Sequence, residues 1–107
     1  MDRQGRCEVN RSLTLAFLLS TLGVHVAAFA MIRLVLEQRL QDVTEYGQTK
    51  TRLKALADND RFTEDDIKLI RFAYRSACRV VHGQRFNNSR HLFREAVRAV
   101  RTLSQAA

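Results

Sequence analysis

The alternation of apolar and polar positions changes character at residue 33. From Leu13 to Ile32, in LTLAFLLSTLGVHVAAFAMI, twenty residues pass without an acidic, lysine or arginine side chain. A helix of about twenty apolar residues is what a hydrocarbon core of about 30 Å requires. The run therefore predicts a single transmembrane helix over 13–32, with a short polar tail over 1–12 ahead of it. Two other readings use the same residues. Arg3, Arg6 and Arg11 before the run, and Ala28-Phe29-Ala30 within it, fit a cleaved signal peptide and a secreted product, although the run exceeds the roughly 7–15 apolar residues of such a leader. Alternatively the run is the buried core helix of a soluble, cytoplasmic protein.

Small residues recur inside the run. Ala16, Ser20, Gly23, Ala27 and Ala30 are spaced by four, three, four and three, so one continuous helix carries them on one stripe. Small stripes let helix backbones approach closely in lipid, which predicts packing against a protein partner or a second copy of the chain. His25 interrupts the stretch; as a neutral imidazole it can share a hydrogen bond with Thr21, or serve as a ligand or proton relay.

After Arg33 the pattern becomes amphipathic. Leu36, Leu40, Val43 and Tyr46 follow helical spacing, with Glu37, Gln38, Arg39, Gln41 and Asp42 on other faces; Gly47 ends or bends the helix, and Lys50–Ala57 resumes it with Leu53 and Leu56 inward. This amphipathic segment spans 33–57. Asp58-Asn59-Asp60 is a turn cluster. Thr63 then caps a helix whose first turn holds Glu64, Asp65 and Asp66, favourable to the helix dipole. Ile67, Ile70, Tyr74, Ala77 and Val81 form its apolar stripe, and Gly83 stops it. A last helix, from about Ser89 to Ser104, buries Leu92, Phe93, Ala96, Val97, Val100 and Leu103. The two helices predict a basic helical hairpin over 63–104. Ala77, Val80, Ser89, Phe93 and Ala96, with Phe86 after the turn, follow an order similar to that of a tetratricopeptide repeat. Ala73 and Ser76 stand where that pattern prefers large apolar residues, and stable arrays need about three repeats, so the likeness implies hairpin geometry and no family.

Composition sharpens the picture. No proline and only four glycines favour long helices, and the fold class is all-α. The formal net charge of +7 is unevenly placed: beyond residue 66 nine basic residues face Glu95 alone. Lys68, Arg71, Arg75 and Arg79 line one helix face; Arg90, Arg94, Arg98 and Arg101 repeat the ridge on the next. Ridges of this kind suit an anionic partner: an acidic protein face, or nucleic acid or acidic lipid bound weakly and non-specifically. Charge leaves the topology open: Arg3, Arg6 and Arg11 before the run, against Arg33 and Arg39 after it, lean slightly towards a cytoplasmic N-terminus, whereas a basic tail that meets nucleic acid or anionic lipid in the cytoplasm pulls the other way.

Catalytic chemistry finds no pattern. His25, His82 and His91 accompany no nucleophile motif, glycine-rich phosphate loop, HExxH or paired carboxylates. Cys7 and Cys78 lie on opposite sides of a spanning helix and show no zinc spacing, so neither a disulfide nor a metal is expected. The expectation is a non-catalytic, single-pass membrane subunit without cofactor or small-molecule substrate, acting by helix packing in the bilayer and a basic hairpin outside it. The alternative is a soluble all-α nucleic-acid-binding or regulatory protein.

Overall fold

Gly23 divides the apolar run. In a computed structural model of the protein, which describes residues 3–43, 48–84 and 89–105, helix α1 (Arg3–Thr21) stops and helix α2 (His25–Val43) starts within three residues. Gly23 takes φ +81°. Its N–H donates to the Ser20 carbonyl at 3.1 Å, and the Val24 N–H donates to the Leu19 carbonyl at 2.8 Å. This bond pair is a Schellman stop, in which glycine supplies the left-handed backbone and the last carbonyls of the helix gain donors. The Val24 carbonyl then accepts from the Ala28 N–H at 3.1 Å and opens α2.

A connection this short between two packed helices produces an antiparallel hairpin. The continuous helix expected over 13–32 is corrected accordingly, and among the described residues no helix is long and apolar enough to cross a membrane. A protein core demands apolar residues as strictly as lipid does. Leu13, Ala16, Ala28, Phe29 and Ile32 from the run all enter the core. The run is not one core helix either, since each arm of the hairpin takes half. The polar tail is corrected as well: α1 begins at Arg3, and Val9 is buried.

The chain continues through α3 (Thr49–Ala55), a 3-10 turn over Leu56–Asp58, α4 (Glu64–Val81) and α5 (Ser89–Gln105). Every element among the described residues is helical. Leu53, Leu56 and Phe62 bury this connecting region, and Asn59 Oδ1 accepts from the Arg61 N–H at 3.0 Å to form the turn. Thr63 and Asp66 close a reciprocal capping box, each side chain accepting the other's backbone N–H at 3.1 Å. Phe62 and Ile67 occupy the positions of a hydrophobic staple across that cap, and both join the core. Gly83 repeats the Schellman stop at the end of α4, with φ +95°. Its own N–H donates to Val80 at 3.0 Å, and the Gln84 N–H donates to Arg79 at 2.9 Å. Tyr46, Gly47 and Phe86 lie outside the described residues.

Helix α2 is the central element and packs against α1, α3, α4 and α5. Phe29 meets Phe93 of α5 edge to face, with ring centroids 6.0 Å apart and planes at 86°. The Tyr74 hydroxyl of α4 donates to Glu37 Oε1 at 2.9 Å, and Arg33 holds the same oxygen at 3.3 Å. Arg39, placed by its spacing on a polar face, is instead only 8% exposed. Its guanidinium pairs with Asp42 at 3.0 Å. The buried face of α4 runs through Ile70, Ala73, Ser76, Ala77 and Val80, rotated from the expected stripe because α4 packs against α2 and α5 together. On α5, Ala99 takes the buried place expected for Val97, which is only partly covered.

Candidate functional site

The outward face of α4 collects four of the predicted cations. Lys68, Arg71, Arg75 and Arg79 recur every three or four residues, which stacks them along one side of the helix at steps of about 4.5–6 Å. Together with Phe72 and Ser76 they line an open cleft of about 330 Å³. The sequence predicted these four cations, and the fold brings them together. It did not single out Phe72, whose large ring lies 47% exposed between cations that carry the helix's polar face.

Local physics explains how the face is held. The capping box and the acidic first turn fix the start of α4, and Arg79 in the last turn complements the dipole at its other end. Core residues on the opposite side, Ile70, Ala73 and Ala77, anchor the helix against α2 and α5. Arg71 is half-buried, and its Nη2 donates to the Leu53 carbonyl at 3.5 Å, steadying one guanidinium against the connecting region. Among the described residues Lys68, Arg75 and Arg79 take part in no ion pair, in contrast to Arg33 with Glu37, Arg39 with Asp42 and Arg98 with Glu95. Like charges three and four residues apart each cost a helix about 0.2–0.5 kcal/mol. A bound polyanion reverses the sign of that contribution.

The ridge on α5 is different. Arg90, Arg94 and Arg101 are exposed, as is Arg98, but none of them lines the α4 cleft. Arg98 Nη1 spans both oxygens of Glu95 at 3.0 Å, so its charge is largely met within α5. The eight predicted cations thus form one ridge on each helix, and only the α4 ridge surrounds the cleft.

The small-residue stripe does not survive as a surface. Ala16 is fully buried and Ser20 half-buried on α1, Gly23 forms the turn, and on α2 Ala27 is half-buried while Ala30 is exposed. The stripe required one uninterrupted helix, and the Gly23 turn puts its two halves on separate helices. His25 becomes the first residue of α2, half-buried with Nδ1 unpaired; Thr21 does not serve it, because its hydroxyl donates to the Phe17 carbonyl at 2.9 Å. Cys78 is half-buried beside Tyr74, whose hydroxyl is pushed up to about 12 by burial first, then by the hydrogen bond to Glu37 and the neighbouring thiol. Among the described residues no three His, Cys, Asp or Glu side chains are grouped to hold a metal ion.

Set against known protein families, curated proteins and solved structures, the chain matches none of them.

Proposed function

We propose that the protein is a non-catalytic helical bundle that binds nucleic acid through the outward face of α4, with single strands preferred to duplex. One observation carries this reading: the cleft places Lys68, Arg71, Arg75 and Arg79 around an exposed aromatic ring, Phe72. Cations at helical steps meet successive phosphates without reading sequence. An exposed ring among them supplies a stacking platform for a base, which a duplex keeps covered and a single strand offers. The formal net charge of +7 steers such a partner from a distance. The α5 arginines contribute to that long-range field and not to the contact itself.

The expected bilayer-spanning arrangement fits the hairpin poorly. It needs the Gly23 turn to straighten and the buried Leu13, Ala16, Phe29 and Ile32 to leave the core. The nucleic-acid reading needs no such refolding.

Anisotropy titration of a labelled oligothymidine, run from low to physiological salt, tests the proposal. Wild-type affinity is expected to fall steeply with salt, and exchanging Lys68, Arg75 and Arg79 for Gln is expected to reduce the logarithmic slope by about 2, at about 0.7 per phosphate contact. Gln at Arg90, Arg94 and Arg101 should change the slope less. Phe72→Ala should weaken strand binding by about 1–3 kcal/mol and leave duplex binding nearly unchanged. Equal losses from the α4 and α5 sets would assign binding to overall charge and reject the cleft.

A further inference from the structure

The closed end of the α1–α2 hairpin carries a second surface, unlike the cationic face. Leu15, Leu18 and Leu22 recur at spacings of three and four along the outside of α1, and Phe17, Val24 and Val26 are exposed around them. Leu22, at the turn itself, is 77% exposed. No charged residue occurs from Ser12 to Ile32, and the arms meet charge again at Arg11 and Arg33, at similar distances from the turn. At 1.5 Å per residue this makes an uncharged cap about 15 Å tall, about half the thickness of a hydrocarbon core.

Several polar groups of the cap are already engaged, although His25 Nδ1, beside the turn, has no partner. The Thr14 hydroxyl donates to the Asn10 carbonyl at 2.8 Å and the Thr21 hydroxyl to the Phe17 carbonyl at 2.9 Å. The Leu22, Gly23 and Val24 N–H groups all bond to carbonyls of α1. A polar group that is already hydrogen-bonded loses little on leaving water, so these hydroxyls and N–H groups add little to the cost of burying the tip. The tip is also convex, with all of residues 21–24 exposed. A fluid lipid surface accommodates a convex apolar tip, whereas a folded partner has to supply a matching cavity.

We propose that this hairpin tip inserts into one leaflet of an anionic bilayer, holding the bundle at the membrane surface without crossing it. Arg11, exposed on α1 one turn before Leu15, sits at the rim of the cap, where acidic headgroups lie. The positive net charge of the chain draws it to the same surface. Insertion of an apolar face by about 5–10 Å is the depth at which interfacial helices bind, and the cap is tall enough for it. The proposal is independent of the nucleic-acid reading, since the two surfaces share no residue.

The chain contains no tryptophan, so Leu22→Trp in the full chain is a sole reporter at the tip. With vesicles of phosphatidylcholine and phosphatidylserine its emission is expected to shift to the blue and to be quenched by bromine-labelled acyl chains. Leu18→Asp with Leu22→Asp, at positions already exposed, should keep helix content and lower vesicle partitioning by at least about tenfold. Arg75→Gln with Arg79→Gln should leave the blue shift intact, which separates insertion from adsorption through α4. Vesicle binding without a blue shift would overturn the proposal, as would undiminished binding of the double Asp variant. Self-association in the absence of lipid, lost in that variant and unaccompanied by vesicle binding, would instead assign the tip to a second copy and overturn it too.

Discussion

An added Cβ at Gly23 meets nothing within 4 Å, so only the backbone conformation, φ +81°, opposes a side chain there. That opposition is about 1–2 kcal/mol. The stop signal was present in the sequence, since a glycine followed by an apolar residue is the pattern of a Schellman end. It was hidden because lipid and protein core select the same neighbours, and the glycine also fitted a stripe of small residues. Thr63 was legible for the opposite reason: its capping box is complete within four residues and owes nothing to the rest of the fold. Arg39 was not legible, because its burial depends on which side of α2 receives α4 and α5. Tyr74 gives a prediction at this scale. Its pKa rises from 10.0 to about 12, so the folded chain holds the phenol proton more tightly than the unfolded chain. The associated stability is complete below pH 10 and is lost as pH climbs towards 12. Urea unfolding across that interval should show a steeper loss in the wild type than in Tyr74→Phe, and parallel curves would contradict the assigned cause.

Among the elements, α4 and α5 were the best read, because a strong apolar stripe faces a run of arginines on each. The face of α4 was misjudged by part of a turn. Ala73 and Ser76, small and unremarkable in the sequence, are buried because α2 and α5 approach the same helix from two directions. Phe72 was missed for a related reason: its exposure becomes meaningful only once four cations are known to share its cleft. The joint between α2 and α5 gives a second prediction. Phe29 is fully buried against the Phe93 edge. Phe29→Ala should cost about 3–5 kcal/mol by leaving a cavity at the centre of the bundle. A loss below about 1 kcal/mol in chemical denaturation, in the range of an exposed substitution, would mean that α2 is not the central helix.

For the whole molecule, one turn decides between two proteins. With Gly23 as a stop, the apolar run folds back on itself, five of its side chains enter the core of the bundle, and exposed apolar residues form an uncharged tip. With Gly23 inside a helix, the same residues make a rod. Composition and hydropathy cannot separate these outcomes, because both forms call for the same run of apolar residues. The gathered cations of α4 depend on the folded-back form only indirectly, through α2 as their support. The most direct test is a distance. Spin labels placed by cysteine substitution at Arg11 and Leu34, both exposed, with Cys7 and Cys78 changed to Ser, report on the run from end to end. Packed antiparallel helices lie about 8–10 Å apart, so the hairpin predicts a label separation within about 20 Å by pulsed electron resonance. A continuous helix would set the two positions about 35 Å apart, and that result would contradict the fold on which both proposed surfaces depend.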